Sequence, residues 1–249
     1  MNYSDVGIII LAAGKGTRMK SDKPKVLHKV AGKSMVMRVI EIAKKITHDN
    51  IHIVVGHKAK DVRDEINKYV NVNFANQKQL IGTGDAVKSA LPGMDPSIKD
   101  ILVLCGDVPL IQEDTIKDLI DKHKENQAIV SVLAVDLDDP GGYGRIVLDE
   151  FNNMLCIKEE ADANAEEKKI KTVNTGIYCF DKKFLVSALE AIKPDNMQAE
   201  YYLTDVVEIA QKKSEKIIVV TMNDYRQVIG VNTLEQRQLI ENLIQQMEK

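Results

Sequence analysis

Residues 6–19 read VGIIILAAGKGTRM, an apolar run that leads directly into a loop of small and cationic residues. The apolar part, Val6–Ala13, suits a strand that is buried on both faces, as in a parallel sheet. This run is far shorter than the roughly 20 residues that span a bilayer. No cationic segment precedes it, which argues against a signal peptide. We therefore expect a buried first strand followed by a functional loop.

Apolar, β-branched runs alternate with helical patterns beyond this stretch. The predicted strands are Val6–Leu11, Ile51–Val55, Val72–Phe74, Ile101–Leu104 and Ile129–Ala134. The predicted helices between them are Ser34–Lys45, Lys60–Tyr69, Thr83–Leu91 and Glu113–Glu125. Apolar strands separated by helices predict a mostly parallel sheet covered on both faces, which is a Rossmann-like three-layer α/β/α fold.

From Pro140 onward the predicted elements become mixed. Strands are expected at Gly144–Leu148, Val173–Phe180 and Ile217–Thr221, helices at Lys182–Ala191 and Thr204–Lys213, and a polar insertion at Glu159–Lys171. The end of the chain places five apolar residues on one helical face, namely Leu239, Ile240, Leu243, Ile244 and Met247. We expect a domain over residues 1–232 and a C-terminal helix over residues 233–249. That helix either docks on the domain or joins copies of the chain in a homo-oligomer.

The composition is that of a soluble globular protein. The 249 residues are 44% hydrophobic and 29% charged, and 34 Lys and Arg against 37 Asp and Glu give a net charge of -3. This balance provides no overall attraction to nucleic acid or to an anionic membrane, so neither is expected as a partner. The cysteines Cys105, Cys156 and Cys179 lack the spacing of a zinc site. They indicate structural thiols in a reducing cytoplasm.

The loop after the first strand is a candidate phosphate site. Lys15, Arg18 and Lys25 place three cations close together, and the small residues among them let backbone N–H groups approach an anion. Neither common phosphate motif fits. A Walker A loop requires Ser or Thr where Gly16 stands, and the dinucleotide motif requires Gly where Met19 stands. The alternative is an ordinary turn with surface charges.

Two residues are candidate ligands of Mg²⁺, which prefers oxygen donors and shares them with substrate phosphates. Asp107 follows the predicted strand Ile101–Leu104, at the edge of the sheet where α/β proteins bind ligands. Asn232 lies just before the C-terminal helix. Each has a structural alternative, since Asp often caps a turn and Asn often caps a helix.

Two further groups suit a base and a sugar. The amide of Gln77, with backbone donors around Gly82 and Thr83, could read the edge of a base, although Thr83 could instead cap the following helix. Glu159 and Asn174 offer the paired donors and acceptors that sugar hydroxyls need. Taken singly, these two could equally be ordinary loop or surface residues.

Several motifs together carry a resemblance to a known family. They are, in order, LAAGKGTRM, SDKPKVLHKVAGK, GTG, CGDVPLI, GYGRIV, VNTGIY, AEYYLTD and GVNT. Their order and approximate spacing over nearly the whole chain resemble the pyrophosphorylase domain of bacterial bifunctional N-acetylglucosamine-1-phosphate uridyltransferases of the GlmU type. The opening motif is typical of the sugar nucleotidyltransferase superfamily, and AEYYLTD with GVNT narrows the resemblance to this family.

The resemblance implies a nucleotidyltransferase fold and a Mg²⁺-dependent uridylyl transfer. N-acetylglucosamine 1-phosphate would attack the α-phosphorus of UTP, giving pyrophosphate and UDP-N-acetylglucosamine, a precursor of peptidoglycan and lipopolysaccharide. It implies that Arg18 and Lys25 stabilise the phosphates and that Asp107 and Asn232 hold Mg²⁺. The implied nucleotide contacts are Leu11, Ala12, Ala13 and Gly14, with Gln77, Gly82 and Thr83 at the uracil. The implied sugar-site residues are Gly144, Glu159, Asn174, Tyr202 and Thr204.

This chain departs from the family in two respects. Leu80-Ile81 stands where the family usually has Gln-Leu, which affects the shape of the base pocket. The hexapeptide repeats of an acetyltransferase domain are missing from the sequence, so we expect neither acetyltransferase activity nor acetyl-CoA binding. Two alternatives stay open: transfer of another nucleotide or to another sugar 1-phosphate, and a binding or regulatory module without catalysis.

Overall fold

The computed structural model describes residues 3–47 and 49–247, the last of these by its backbone alone. Four parts of the predictions lie outside the described residues. They are the start of the predicted segment 1–232, residue 48 within it, the end of the predicted segment 233–249 and the apolar contact predicted for the Met247 side chain. Among the described helices, none combines the length and apolar character that crossing a membrane requires.

One mixed sheet forms the centre of the described chain. Its strands are β1 (Val6–Ala12), β4 (Ile51–Val55), β5 (Asn73–Asn76), β6 (Asp100–Cys105), β7 (Val130–Asp136), β8 (Gly144–Leu148), β9 (Met154–Lys158), β10 (Thr172–Asp181) and β11 (Ile217–Met222), and a separate small hairpin joins β2 (Lys29–Val30) to β3 (Lys33–Ser34). The main path runs β11-β7-β10-β6-β1-β4-β5, and the hairpin of β8 and β9 branches from β10. Strands β5, β4, β1 and β6 are mutually parallel, whereas β10 runs antiparallel to both β6 and β7.

The helices cover both faces of this sheet. They are α1 (Met35–Ile46), α2 (Ala59–Asn67), α3 (Thr83–Ala90), α4 (Glu113–Glu125), α5 (Lys182–Ala191), α6 (Asp205–Lys212) and α7 (Leu234–Met247). Alternate residues of β1 enter different cores: Ile8 and Ile10 pack with α1, α2 and α4, and Ile9 packs with α3, α5 and α6. A strand with apolar side chains on both faces needs this double cover. The predicted three-layer, mostly parallel fold is therefore confirmed.

Element boundaries follow the predictions except at weakly patterned edges. The intervals predicted for α4, β8 and α5 match the structure. Edge strand β5 begins at Asn73, so Val72 packs against the core from the preceding loop, and the predicted interval 72–74 is misplaced. Strand β9 was not predicted, because its five residues, MLCIK, lack clear alternation and are ordered by pairing with β8.

The C-terminal helix α7 docks on the domain. Ile240 and Ile244 are buried in a small core with Met19, Val30 and Val231. The carboxylate of Glu241 accepts a hydrogen bond from the N–H of Ala31 at 2.9 Å, and Arg237 donates to the carbonyl of Lys29 at 3.1 Å. Leu239, which the sequence pattern assigns to the same apolar face, remains 46% exposed. Docking is thus one role of the predicted apolar face, and an interface between copies stays a prediction.

We predict that Ile240→Ala lowers the free energy of unfolding by about 2–5 kcal/mol, because it leaves a cavity in the small core beneath α7. The matched control is Leu239→Ala, which removes an exposed side chain from the same helix and should cost less than about 1 kcal/mol. Urea denaturation of both variants measures the difference. Equal costs would contradict the docked position of α7.

Candidate active site

The loops after β1 and β6 meet at one edge of the sheet. The strands are adjacent and parallel, with Leu11 opposite Cys105, so both loops leave the same side. The N–H of Gly106 donates to the carbonyl of Leu11 at 2.9 Å, and a Cβ at residue 106 would lie only 2.9 Å from that oxygen. Gly106 therefore allows the loop that carries Asp107 to close against the loop after β1.

A cation and two oxygen ligands from distant parts of the chain meet at this edge. The ammonium of Lys25 lies 2.5 Å from Asp107 Oδ2 and 2.9 Å from Asn232 Oδ1. Arg18 Nη2 lies 3.0 Å from the same Asn232 oxygen. The N–H of Val231 donates to the carbonyl of Asp107 at 2.9 Å, which fixes the C-terminal segment beside the β6 loop. The structure thus brings together the four residues predicted at the phosphates and the metal.

The structural alternative for Asn232 is wrong. Thr233, not Asn232, caps α7, since its hydroxyl accepts from the N–H of Gln236 at 3.2 Å. The side chain of Gln236 in turn accepts from the backbone N–H of Asn232 at 2.7 Å. The Asn232 amide oxygen is therefore directed at Lys25 and Arg18 rather than at a helix end.

The chemistry of these two oxygens fits a hard divalent cation. A carboxylate oxygen of Asp107 and an amide oxygen of Asn232 converge on a single cationic atom, the Lys25 ammonium. Within the described part of the chain, no cluster of three or more His, Cys, Asp or Glu residues could hold a metal. A protein site of two oxygens suits Mg²⁺, which usually takes its other ligands from water and substrate phosphates.

A cavity of about 510 Å³ opens beside this cluster on the β1 side. Its lining includes most residues predicted to bind the nucleotide, namely Leu11, Ala12, Ala13, Gly14, Lys25, Gln77, Gly82 and Thr83. Gly82 has a φ of 121°, and a Cβ there would collide with the carbonyl of Tyr201. The Thr83 hydroxyl does not cap α3 but accepts from the N–H of Leu203 at 3.0 Å, so the predicted helix-cap alternative is wrong.

A second cavity of about 220 Å³ adjoins the first and shares Asp107 with it. The predicted sugar-site residues in its lining are Gly144, Glu159, Asn174 and Thr204. The Thr204 hydroxyl lies 3.3 Å from a carboxylate oxygen of Glu159. Tyr202 lines a neighbouring cavity on the other side of Glu159, where its hydroxyl donates to Gln198 at 2.8 Å. A direct contact of Tyr202 with the sugar stays a prediction.

Sequence reasoning missed Tyr178, a buried residue that orients Asn174. The Asn174 amide donates to the Tyr178 hydroxyl at 2.6 Å, and its oxygen accepts from the N–H of Gly176 at 3.1 Å. Burial raises the pKa of Tyr178 well above its ordinary value, so the hydroxyl stays neutral. The two residues lie four apart on β10, too far for side-chain contact along a regular strand. The irregularity between them, where Gly176 has a φ of 78°, accompanies the contact, and no sequence pattern indicated it.

Burial raises the pKa of three further titratable groups in or beside the second cavity. It raises the pKa of Glu159, although the hydrogen bond from Thr204 acts in the opposite direction. Burial, followed by the nearby Asp107, raises the pKa of the Cys105 thiol to about 12. Cys105 therefore stays a thiol at neutral pH and is unsuited to act as a nucleophile. Burial and the neighbouring Glu208 raise the pKa of Asp205 to about 6.

We predict a pH-dependent effect of Asp205→Asn on stability. The folded-state pKa of about 6 lies above the ordinary aspartate value of 3.8, so the folded protein binds more protons between these values. Ionised Asp205 therefore lowers the free energy of unfolding above about pH 6. This destabilisation disappears below about pH 4, where Asp205 is protonated in both the folded and the unfolded protein. The stability of the variant relative to wild type should rise between about pH 4 and pH 7. Denaturant titrations across this range test it, with Asp118→Asn, which removes an exposed carboxylate from α4, as the control.

The sequence of this chain is similar to those of known proteins. The profile of the MobA-like NTP transferase domain matches residues 8–170. The chain is 42% identical to the bifunctional protein GlmU of Syntrophomonas wolfei over 96% of this chain and 53% of that protein. It is 44% identical to the bifunctional protein GlmU of Clostridioides difficile over 90% of this chain and 48% of that protein. The chain thus spans about half the length of these curated relatives.

Solved structures share the fold at low sequence identity. A UDP-glucose pyrophosphorylase in complex with UDP-glucose superposes with a TM-score of 0.79 at 18% identity, covering 98% of this chain and 99% of that chain. The 4-diphosphocytidyl-2C-methyl-D-erythritol synthase of Anaerococcus prevotii gives a TM-score of 0.68 at 18% identity, with coverage of 98% and 99%. At this level of identity the likeness concerns the fold alone.

Proposed function

The chain belongs to the family of MobA-like NTP transferase domains, and from this premise we propose that it transfers the uridylyl group of UTP to N-acetylglucosamine 1-phosphate. The observation that carries the proposal is the contact of Lys25 with Asp107 and Asn232 at the junction of two adjoining cavities. The choice of substrates is supported by the GlmU-type motifs and by the GlmU relatives, of which the chain covers about half. The proposal concerns only the half of the GlmU relatives that this chain matches.

The reaction needs charge neutralisation and alignment more than a protein nucleophile. A phosphate oxygen of the sugar phosphate, already anionic at neutral pH, forms the new bond to the α-phosphorus of UTP. The bond between that phosphorus and the oxygen bridging to the β-phosphate breaks, and pyrophosphate leaves with the electron pair. In this assignment Lys25 and Arg18 neutralise the charge that grows on the leaving group.

The proposal includes a metal ion beside Lys25 and Arg18. Asp107 and Asn232 would hold a divalent cation, which we propose is Mg²⁺. When bound, such an ion supplies a Lewis acid and a template for phosphate oxygens. The chain itself contributes the two oxygens that select a hard cation and the positive charges of Lys25 and Arg18 beside them.

The two cavities suit the two proposed substrates, the nucleotide and the sugar phosphate. In the first, Leu11, Ala12, Ala13 and Gly14 would contact the nucleotide, with Gln77, Gly82 and Thr83 at the uracil. In the second, Glu159 and Asn174 would bind sugar hydroxyls beside Gly144, with Thr204 and Tyr202 around Glu159. A Cβ at Gly144 would lie 3.3 Å from a Glu159 oxygen and 3.0 Å from Ile157, so glycine keeps this wall open.

A second candidate is transfer of another nucleotide or to another sugar 1-phosphate. The observation that favours it is Leu80, a departure from the family sequence that lines the first cavity. Pyrophosphate release from UTP, CTP, ATP and dTTP, each with N-acetylglucosamine 1-phosphate and with glucose 1-phosphate, decides between the two. The proposal requires the fastest release from UTP with N-acetylglucosamine 1-phosphate. No release from any pair would support a binding module instead.

We predict that Asp107→Ala lowers kcat by on the order of 10²-fold or more, as loss of a preorganised electrostatic group commonly does. The same variant should lose affinity for Mn²⁺ in a titration monitored by electron paramagnetic resonance, with UTP present and chemistry absent. Asp61→Ala, which removes an exposed carboxylate from the first turn of α2, serves as the control. Normal turnover of Asp107→Ala would refute the metal assignment.

We predict that Lys25→Ala reduces kcat more than it raises the KM for the sugar phosphate, because the lost charge acts on the leaving group. Lys23→Ala, two residues earlier and exposed, is the matched control and should keep wild-type rates. Steady-state kinetics with each substrate varied in turn separates the two constants. A rise in KM for the sugar phosphate alone would place Lys25 at that substrate and not at the pyrophosphate.

A further inference from the structure

The Gln77 side chain is held by two acceptors beside the first cavity. Its amide nitrogen donates to the carbonyl of Gly82 at 2.9 Å and to Asp85 Oδ2 at 3.0 Å. A primary amide has two N–H donors, so both are engaged by the protein. The residue is 7% exposed, and its backbone N–H donates to the carbonyl of Val55 at 2.9 Å. The position of the side chain is therefore defined at both ends.

The amide oxygen of Gln77 is the atom left for a ligand. Among the described residues, no group donates to this oxygen, and it is not one of the enclosed polar atoms without a partner. Gln77 belongs to the lining of the first cavity. The side chain consequently presents a hydrogen-bond acceptor, and no donor, to whatever occupies that cavity.

Both acceptors oppose a flip of the amide. The Gly82 carbonyl belongs to a segment that is tied to Tyr201, whose N–H donates to Ile81 at 2.7 Å and whose carbonyl accepts from Gly84 at 2.8 Å. The Asp85 carboxylate, when ionised, can only accept hydrogen bonds. A flipped Gln77 would direct its oxygen at two other oxygens and leave all three without a donor, an arrangement that is costly in a buried site.

We infer that Asp85 is a positioning residue that sets base selectivity, by holding the Gln77 amide with its oxygen toward the nucleotide. The inference rests on the proposed function. Uracil carries an N3–H donor that matches this acceptor, whereas cytosine has a lone pair at N3 and would oppose two acceptors. A site built to hydrogen-bond one partner discriminates strongly against an analogue that cannot form the bond.

A purely structural role makes a different prediction. Asp85 lies in the first turn of α3, where a carboxylate stabilises a helix through its dipole. If that were its whole effect, replacing it would weaken binding of every nucleotide equally. The selectivity between UTP and CTP distinguishes the two roles, because only the positioning role changes the ratio of kcat/KM for UTP to that for CTP.

The test compares kcat/KM for UTP and CTP in wild type, Asp85→Asn and Asp61→Asn. An asparagine at residue 85 can donate as well as accept, so it removes one of the two contacts that oppose the flipped amide and leaves only the Gly82 carbonyl. We expect the UTP to CTP ratio to fall by on the order of tenfold in Asp85→Asn, as for a lost hydrogen-bond match. It should stay unchanged in Asp61→Asn, which removes a first-turn carboxylate from the remote helix α2. An unchanged ratio in Asp85→Asn overturns the inference.

Calorimetric affinities for UTP and CTP give the same ratio without turnover. If wild type releases no pyrophosphate with either nucleotide, the proposed transfer fails, and the affinity ratio still tests Asp85. If Asp85→Asn does not fold, Asp85→Ala replaces it, because it also removes the obligate acceptor. A ratio that falls in either measurement supports the positioning role, and equal weakening of both nucleotides refutes it.

Discussion

The ammonium of Lys25 donates to Asp107 and to Asn232, and most features of the site follow from keeping these three groups together. The carboxylate lies 82 residues and the amide 207 residues from the lysine in sequence. Such contacts form only when β1 and β6 are neighbours and the C-terminal segment returns to the β6 loop. The parallel register of the two strands and the hydrogen bond from Val231 to Asp107 meet those conditions. The fold thus acts as the means of concentrating charge at one edge of a sheet.

The antiparallel strand β10 explains how a second cavity can adjoin the first. It lies between β6 and β7 and carries Asn174 toward the edge at which Asp107 lies. The hairpin of β8 and β9 branches from β10 and brings Gly144 and Glu159 to the same place. A purely parallel sheet would end in loops only. The antiparallel insertion instead provides a wall of paired strands, which would suit the proposed binding of sugar hydroxyls in this cavity.

Strong periodic patterns made much of the fold predictable, whereas contacts between distant segments did not follow from them. Buried runs such as Ile101–Leu104 identify central strands because both faces need apolar cover. The short strand β9 escaped prediction, since partner strands order it more than its own sequence does. In the site, motifs located Arg18, Lys25 and Asp107. The support of Asn174 by Tyr178 and of Gln77 by Asp85 depends on side-chain geometry, which one sequence does not express.

The distribution of charge in the site bears on how a sugar phosphate would be oriented in the proposed reaction. Lys25 lines the first cavity and contacts Asp107, which both cavities share, and Arg18 contacts Asn232 in the lining of the second. The half-buried carboxyl group of Glu159 lies in the second cavity. A sugar phosphate has an anionic end and a hydroxyl-rich end. In the proposed reaction its phosphate would be attracted to the cations, and its hydroxyls could donate hydrogen bonds to the Glu159 carboxyl group. These charges would therefore favour the orientation in which the phosphate oxygen of the sugar phosphate faces the nucleotide. In the proposed reaction the same cations would also attract the triphosphate, so one small cluster would both orient the nucleophile and stabilise the leaving group, in a chain with a net charge of -3.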